Sequence, residues 1–243
     1  METLASELGK DVIAKQTMNI ILLIDKSGSM RGKKMKQVNA AIKEIIIYLK
    51  ELQKENTNVN FDISLMTFGS QAEWINSNPI NVDNYIFQDI VSEGTTNLHG
   101  AYRLLNEKLV KQSKGGMMPD FGGVAPIIII LTDGHPNNGP WKKELNNLLD
   151  KPWFNVALRY AIAIELQDQK AIDVLNNFVG NGGEVIKVLD ANILKQIIKI
   201  IVLTASKVQS TNSKTIHKTN VCKKEVIRQQ VIQNIIDVDD WEW

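Results

Sequence analysis

The sequence predicts an α/β protein: a mostly parallel central sheet with one antiparallel edge strand, and helices on both faces. Residues 19–25, 126–132 and 155–164 are short runs dominated by Ile, Leu, Val and Ala. Runs without polar alternation mark strands covered on both faces, the condition of a parallel sheet under helices. Segments of helical period separate these runs. The resulting order, βα-ββ-α-βα-βα-βα, is that of crossover units laid along one sheet.

Taken in order, residues 19–25 give the first strand. Residues 33–54 follow with apolar positions at Met35, Val38, Ala41, Ile42, Ile45, Ile46, Leu49 and Leu52, a stripe of helical period. Residues 60–68 alternate, as a lateral strand does. A weaker strand, 71–75, follows the turn residues Gly69 and Ser70, so the two read as a hairpin at one edge. Ala101, Leu104, Leu105 and Leu109 place a helix over 98–110. Residues 112–123, rich in glycine, form an irregular loop. Beyond the run at 126–132, helices are expected over 141–149, 170–179 and 192–207. The chain divides into an N-terminal extension (1–17), one domain (18–207) and a tail (208–243). That tail carries an amphipathic segment over 221–236 and an acidic-aromatic end over 237–243. Roughly thirty-five residues cannot build a core alone. The tail is therefore expected to dock on the body or on a partner.

Composition narrows the function. Lys and Arg number 28 against 27 Asp and Glu, a net charge of +1, so neither nucleic acid nor a membrane surface is an expected partner. One cysteine, Cys222, cannot form an internal disulfide. With three histidines it makes a poor structural zinc set. No signal peptide or run long enough to span a bilayer is legible, and a reducing, cytoplasmic setting is expected.

The chemistry gathers at the ends of the buried strands. Asp25-Lys26-Ser27-Gly28-Ser29 follows the first strand, and its aspartate and alternate serines on a turn offer three oxygens to one point. All-oxygen ligation is what a hard cation such as Mg²⁺ demands. Ligands of an open parallel sheet bind beyond the carboxyl ends of its strands. Asp133, in Leu131-Thr132-Asp133-Gly134, stands at another such end, and the loop 93–97 brings threonine hydroxyls to the same rim. A phosphate-binding loop is excluded at residues 28–34: three residues separate the glycines where four are needed, and Lys34 replaces the Ser or Thr that holds Mg²⁺. Hydrolysis would need a positioned base. His99 reads as a structural histidine on a helix and His135 as a rim residue, so no catalytic residue is assigned.

These three motifs, in this order, resemble the von Willebrand factor type A (vWA) domain, and the resemblance spans residues 19–207. It implies a Rossmann-like vWA fold with a metal-ion-dependent adhesion site holding Mg²⁺ or Mn²⁺. Ser27 and Ser29 would ligate directly, Thr96 would be the conformation-sensitive ligand with Thr95 as its alternative, and Asp25 and Asp133 would act directly or through water. The partner would offer a Glu or Asp to the metal, across a rim of Lys26, Met30, Arg31, Asn97 and His135. The Ser-Gly-Ser-Met-x-Gly start and the Thr-Asp-Gly-x-Pro turn look most like the bacterial tellurium-resistance, TerY-like branch. That implies a stress-resistance or phage-defence setting and a kinase or phosphatase encoded nearby as partner. A metal-dependent hydrolase or phosphatase, and a scaffold subunit of a AAA+ chelatase-like complex, are the competing readings. Lys26, Arg31, Lys33 and Lys34 make the neighbourhood of the turn basic, which would steer an acidic partner.

Overall fold

The computed structural model describes residues 15–55, 59–121, 123–134, 139–180, 184–188 and 199. The expected helix over 192–207, apart from Lys199, and the tail over 208–243 lie outside them, as do residues 1–14 of the expected extension. The chain runs β1 (Gln16–Asp25), α1 (Lys33–Glu55), β2 (Val59–Phe68), β3 (Ala72–Trp74), β4 (Ile80–Asn81), α2 (Leu98–Lys108), β5 (Ile127–Thr132), α3 (Trp141–Leu149), α4 (Pro152–Val156), β6 (Leu158–Ile164), α5 (Gln169–Val179) and β7 (Glu184–Val188). One sheet has the order β3-β2-β1-β5-β6-β7, with β4 also against β2. The pairs β1–β2, β1–β5, β5–β6 and β6–β7 are parallel.

The apolar runs have the two-sided burial that their composition requires. Successive side chains of a strand face opposite ways. Accordingly Ile20, Leu22 and Ile24 pack with Val38, Ile42 and Leu49 of α1 on one face. Ile21 and Leu23 pack with Tyr102, Leu105, Leu148 and Phe178 of the helices on the other. In β5, Ile127, Ile129 and Leu131 divide from Ile128 and Ile130 in the same way. Each such side chain, fully buried, contributes about 1.5–3 kcal/mol of transfer free energy. An alternating strand would leave one helical layer without a surface to cover.

The antiparallel edge is present but broken in two. β3 pairs with Met66–Phe68 and β4 with Asp62 and Ile63, both against β2. Between them the side chain of Asn76 stands in for backbone: its Oδ1 accepts from Leu65 N at 2.9 Å and its Nδ2 donates to Ile63 O at 2.8 Å. The Leu65 amide and the Ile63 carbonyl are thereby paired where the edge bulges away, as a buried strand requires.

Two boundaries differ from expectation. β1 begins at Gln16, inside the expected extension. The strand expected from 155 begins at Leu158, because Pro152 opens a short helix whose fixed φ suits a first turn. Asn155 closes that turn by donating from Nδ2 to Leu149 O at 2.7 Å. β7, which the element order required, has no comparable apolar run to mark it.

Candidate metal centre

Because β1 and β5 are parallel neighbours, their last residues emerge side by side at one end of the sheet. Asp25 closes β1 and is fully buried. Its Oδ1 accepts from Ser27 N at 2.8 Å, tightening the turn, and its Oδ2 accepts from the Thr132 hydroxyl of β5 at 2.5 Å. Burial pushes the Asp25 carboxyl above the usual carboxylate range, against these hydrogen bonds, and the nearby Asp133 carboxylate adds to the rise. A carboxylate kept in such a place is stabilised in its charged form by a cation.

From the turn, Ser27 Oγ lies 3.1 Å from Ser29 Oγ, and Ser29 Oγ donates to Asp133 Oδ1 at 2.6 Å. The Asp133 side chain is only 1% exposed. Its second oxygen, Oδ2, accepts from Lys34 Nζ at 2.7 Å. Thr96 comes from the third stretch. A β-carbon on Gly134 would stand 3.8 Å from both Ser29 Oγ and Thr96 Oγ1, so those two hydroxyls converge above Gly134.

Backbone contacts lock the third stretch to the first. Gly28 N donates to Gly94 O at 2.9 Å, Glu93 N to Lys26 O at 2.6 Å, and Asn97 N to Gly69 O at 2.8 Å. Gly94 has φ +76°, and a side chain there would collide with Ser70 Oγ, so both the turn and the close approach require glycine. Thr95 is exposed, and its amide donates to Ser70 Oγ at 3.2 Å. Thr96 is buried at the cluster.

Three of the expected rim residues are engaged otherwise than expected, and so is Lys34 of the basic neighbourhood. Met30 is not a surface residue: the one-turn helix Gly28–Met30 rolls its side chain into the α1-side core, where it is fully buried. Asn97 is the N-cap of α2, accepting from Gly100 N at 2.9 Å, which accounts for its side chain. Lys26 is not a free cation, since its ammonium reaches Glu73 at 2.8 Å and Glu93 at 3.2 Å. Lys34 is likewise committed to Asp133 and, at 3.5 Å, to Glu165. Arg31 and Lys33 remain exposed beside the turn. His135 lies outside the described residues. Lys34 is expected near the turn only as part of a basic neighbourhood; its pairing with Asp133 and Glu165 is not legible, because those partners lie far away along the chain.

The donor set is oxygen throughout: two carboxylates and three hydroxyls. Among the described residues there is no cluster of three or more His, Cys, Asp or Glu side chains. Among the described residues a soft or borderline metal has no nitrogen or sulfur ligand to prefer here, whereas a hard divalent cation is matched in ligand type. Among the described residues no helix is long and apolar enough to cross a membrane.

A sheet with this topology and this rim defines a known class. The chain belongs to the von Willebrand factor type A domain family, whose model matches residues 19–200, and that family is one of protein-interaction modules. Among curated proteins it is 29% identical over 176 residues to inter-alpha-trypsin inhibitor heavy chain H1 of Sus scrofa, covering 66% of this chain and 18% of that one. Heavy chain H1 of Mesocricetus auratus is 34% identical over 134 residues, covering 52% and 14%. The chain thus spans less than a fifth of these relatives. Among solved structures, a D319A mutant of the PilB minor pilin from Streptococcus sanguinis superposes with a TM-score of 0.59 at 13% identity, covering 84% of this chain and 65% of that one. Proximal thread matrix protein 1 of the mussel byssus, in a structure with a zinc-occupied MIDAS motif, gives 0.54 at 17% identity, covering 77% and 48%. At such identities the likeness is one of fold.

Proposed function

We propose that this domain binds a protein partner through one divalent cation at the carboxyl end of its sheet. Ser27, Ser29 and Thr96 would hold the cation through their hydroxyls, with Asp25 and Asp133 behind them, directly or through water. Mg²⁺ or Mn²⁺ is the cation this set favours; the zinc in the byssus protein belongs to that protein. When bound, the cation supplies a Lewis-acidic position that accepts a carboxylate oxygen. The partner therefore presents a Glu or Asp. The protein's own share is to hold five oxygens in place and to present Arg31 and Lys33 at the edge, where they favour an acidic approach. A kinase or phosphatase partner, a stress-resistance or phage-defence role and a cytoplasmic setting rest on the resemblance of the turn motifs and on the single cysteine.

The observation that carries this reading is the unbroken chain of oxygen contacts from Ser27 through Ser29 to the buried Asp133, with Thr96 alongside. Among the described residues the carboxylates at the rim are either buried or paired with a lysine, so none of them stands free as the positioned base that a hydrolase needs. The test is capture of the native partner on the immobilised chain. The partner should elute with EDTA, rebind with Mg²⁺, and fail to bind Ser27→Ala. Retention of the partner through both treatments would overturn the reading.

A further inference from the structure

We propose that Lys34 is a built-in competitor of the cation, and that Glu165 is the group to which it retreats when the cation binds. This rests on the cation reading of the site. Lys34, in the first turn of α1, is the one described cation in contact with the centre: its ammonium is 2.7 Å from Asp133 Oδ2, on a carboxylate whose other oxygen takes Ser29 Oγ. The contact is well shielded, with the lysine side chain 23% exposed and that of Asp133 1%. A divalent ion that took up Asp133 would face this positive charge across a single carboxylate.

The alternative seat is already within reach. Glu165 Oε2 lies 3.5 Å from the same ammonium, so a small rotation of the lysine exchanges one carboxylate for the other. Glu165 sits directly after β6, its amide donating to Val188 O at 2.7 Å. Its φ is +50°, the only positive value among the described non-glycine residues. A glutamate there bears backbone strain that glycine would avoid, and strain of this kind collects where a side chain's position matters. Glycine would relieve the strain but leave Lys34 with Asp133 alone.

Two carboxylates, Asp133 and Glu165, therefore share one ammonium at the edge of the site. Without Lys34 the site is more negative and holds a cation more tightly. Without Glu165 the ammonium has only Asp133, and the cation must displace it outright. Affinity is then set by the contest between two cations for one buried carboxylate, which leaves room for weak, reversible loading.

Calorimetric titration of the whole chain with Mn²⁺ tests this. Lys34→Met should bind on the order of tenfold more tightly, the size expected for removing one positive charge from beside a shared carboxylate in a partly screened setting. Lys34→Gln, which loses the charge but keeps a polar group, should shift the same way. Glu165→Gln should bind a few-fold more weakly, and should have little effect once Lys34 is Met, because its influence passes through the lysine. In the unsubstituted chain, titration with Mg²⁺ should move one lysine ¹⁵Nζ resonance in step with ion uptake. Unchanged or weaker binding by both Lys34 variants, or an unmoved ammonium signal, would overturn the inference while leaving the metal centre intact. Absence of any uptake by the unsubstituted chain would instead overturn the cation reading itself.

Discussion

Asp25, at the carboxyl end of β1, and Arg159, near the amino end of β6, are both charged groups buried in the same sheet. Their surroundings differ. Asp25 meets polar groups on each oxygen and has two serine hydroxyls, a threonine hydroxyl and a second carboxylate gathered nearby. Among the described residues Arg159 donates to a single carbonyl, Phe178 O, at 2.9 Å, and it lies 4.3 Å from the centre of the Phe154 ring. Tyr102, stacked on Phe178 at 5.5 Å, buries a hydroxyl with no hydrogen-bond partner among the described residues. Burial pushes the guanidinium down to about 10 and the Tyr102 phenol well up. One end concentrates acceptors beyond what the backbone needs; the other fits a charge into an aromatic wall. A surplus of convergent polar groups marks a site, whereas a lone charge among rings marks scaffold.

The aromatic end should carry the larger stability effect. Phe178→Ala removes a fully buried ring and should cost about 3–5 kcal/mol in urea unfolding, while cation affinity in the surviving folded protein stays unchanged. A large loss of affinity would break the division between the two ends. At the polar end, Mg²⁺ at about a hundred times its dissociation constant should add about 2.7 kcal/mol to thermal stability. Asp25→Asn should abolish that increment. An undiminished increment in the variant would remove Asp25 from the centre.

The smallest effect is expected at Tyr102. Tyr102→Phe deletes a buried hydroxyl that has no hydrogen-bond partner among the described residues, and should leave stability unchanged or raise it by up to about 1 kcal/mol near pH 7. Its pH dependence is sharper. The unfolded phenol loses its proton near about pH 10, and the folded one holds it higher. The unfolded state therefore binds fewer protons above pH 10, and stability falls as pH rises. Tyr102→Phe should lose that part of the alkaline decline in urea melts at pH 9 and pH 11. An unchanged decline would place the titration elsewhere.

The fold was legible because continuous Ile and Leu runs and helical stripes are local signals with one good solution, helices on both faces of a sheet. The turn at Asp25, the threonine loop and Asp133 were legible because strand ends of a parallel sheet must meet. What escaped was set by contacts remote in sequence. Met30 reads as rim from its place beside the turn, but the helical twist of Gly28–Met30 sends it inward. Lys34 reads as a solvated helix start, yet Asp133, 99 residues away, takes its charge. Asn76 draws no reading at all, and only the gap between β3 and β4 gives its amide work to do. Arg159 interrupts an otherwise apolar strand with no local sign of the Phe154 ring that receives it.

Convergence of three separate stretches on one ion is most directly tested by amide NMR during a Mg²⁺ titration. Resonances of Ser27 to Ser29, of Thr95 to Asn97 and of Asp133 and Gly134 should shift together, with one midpoint, while those around Arg159 stay fixed. A spectrum that does not respond, or shifts confined to one stretch, would contradict a shared metal centre.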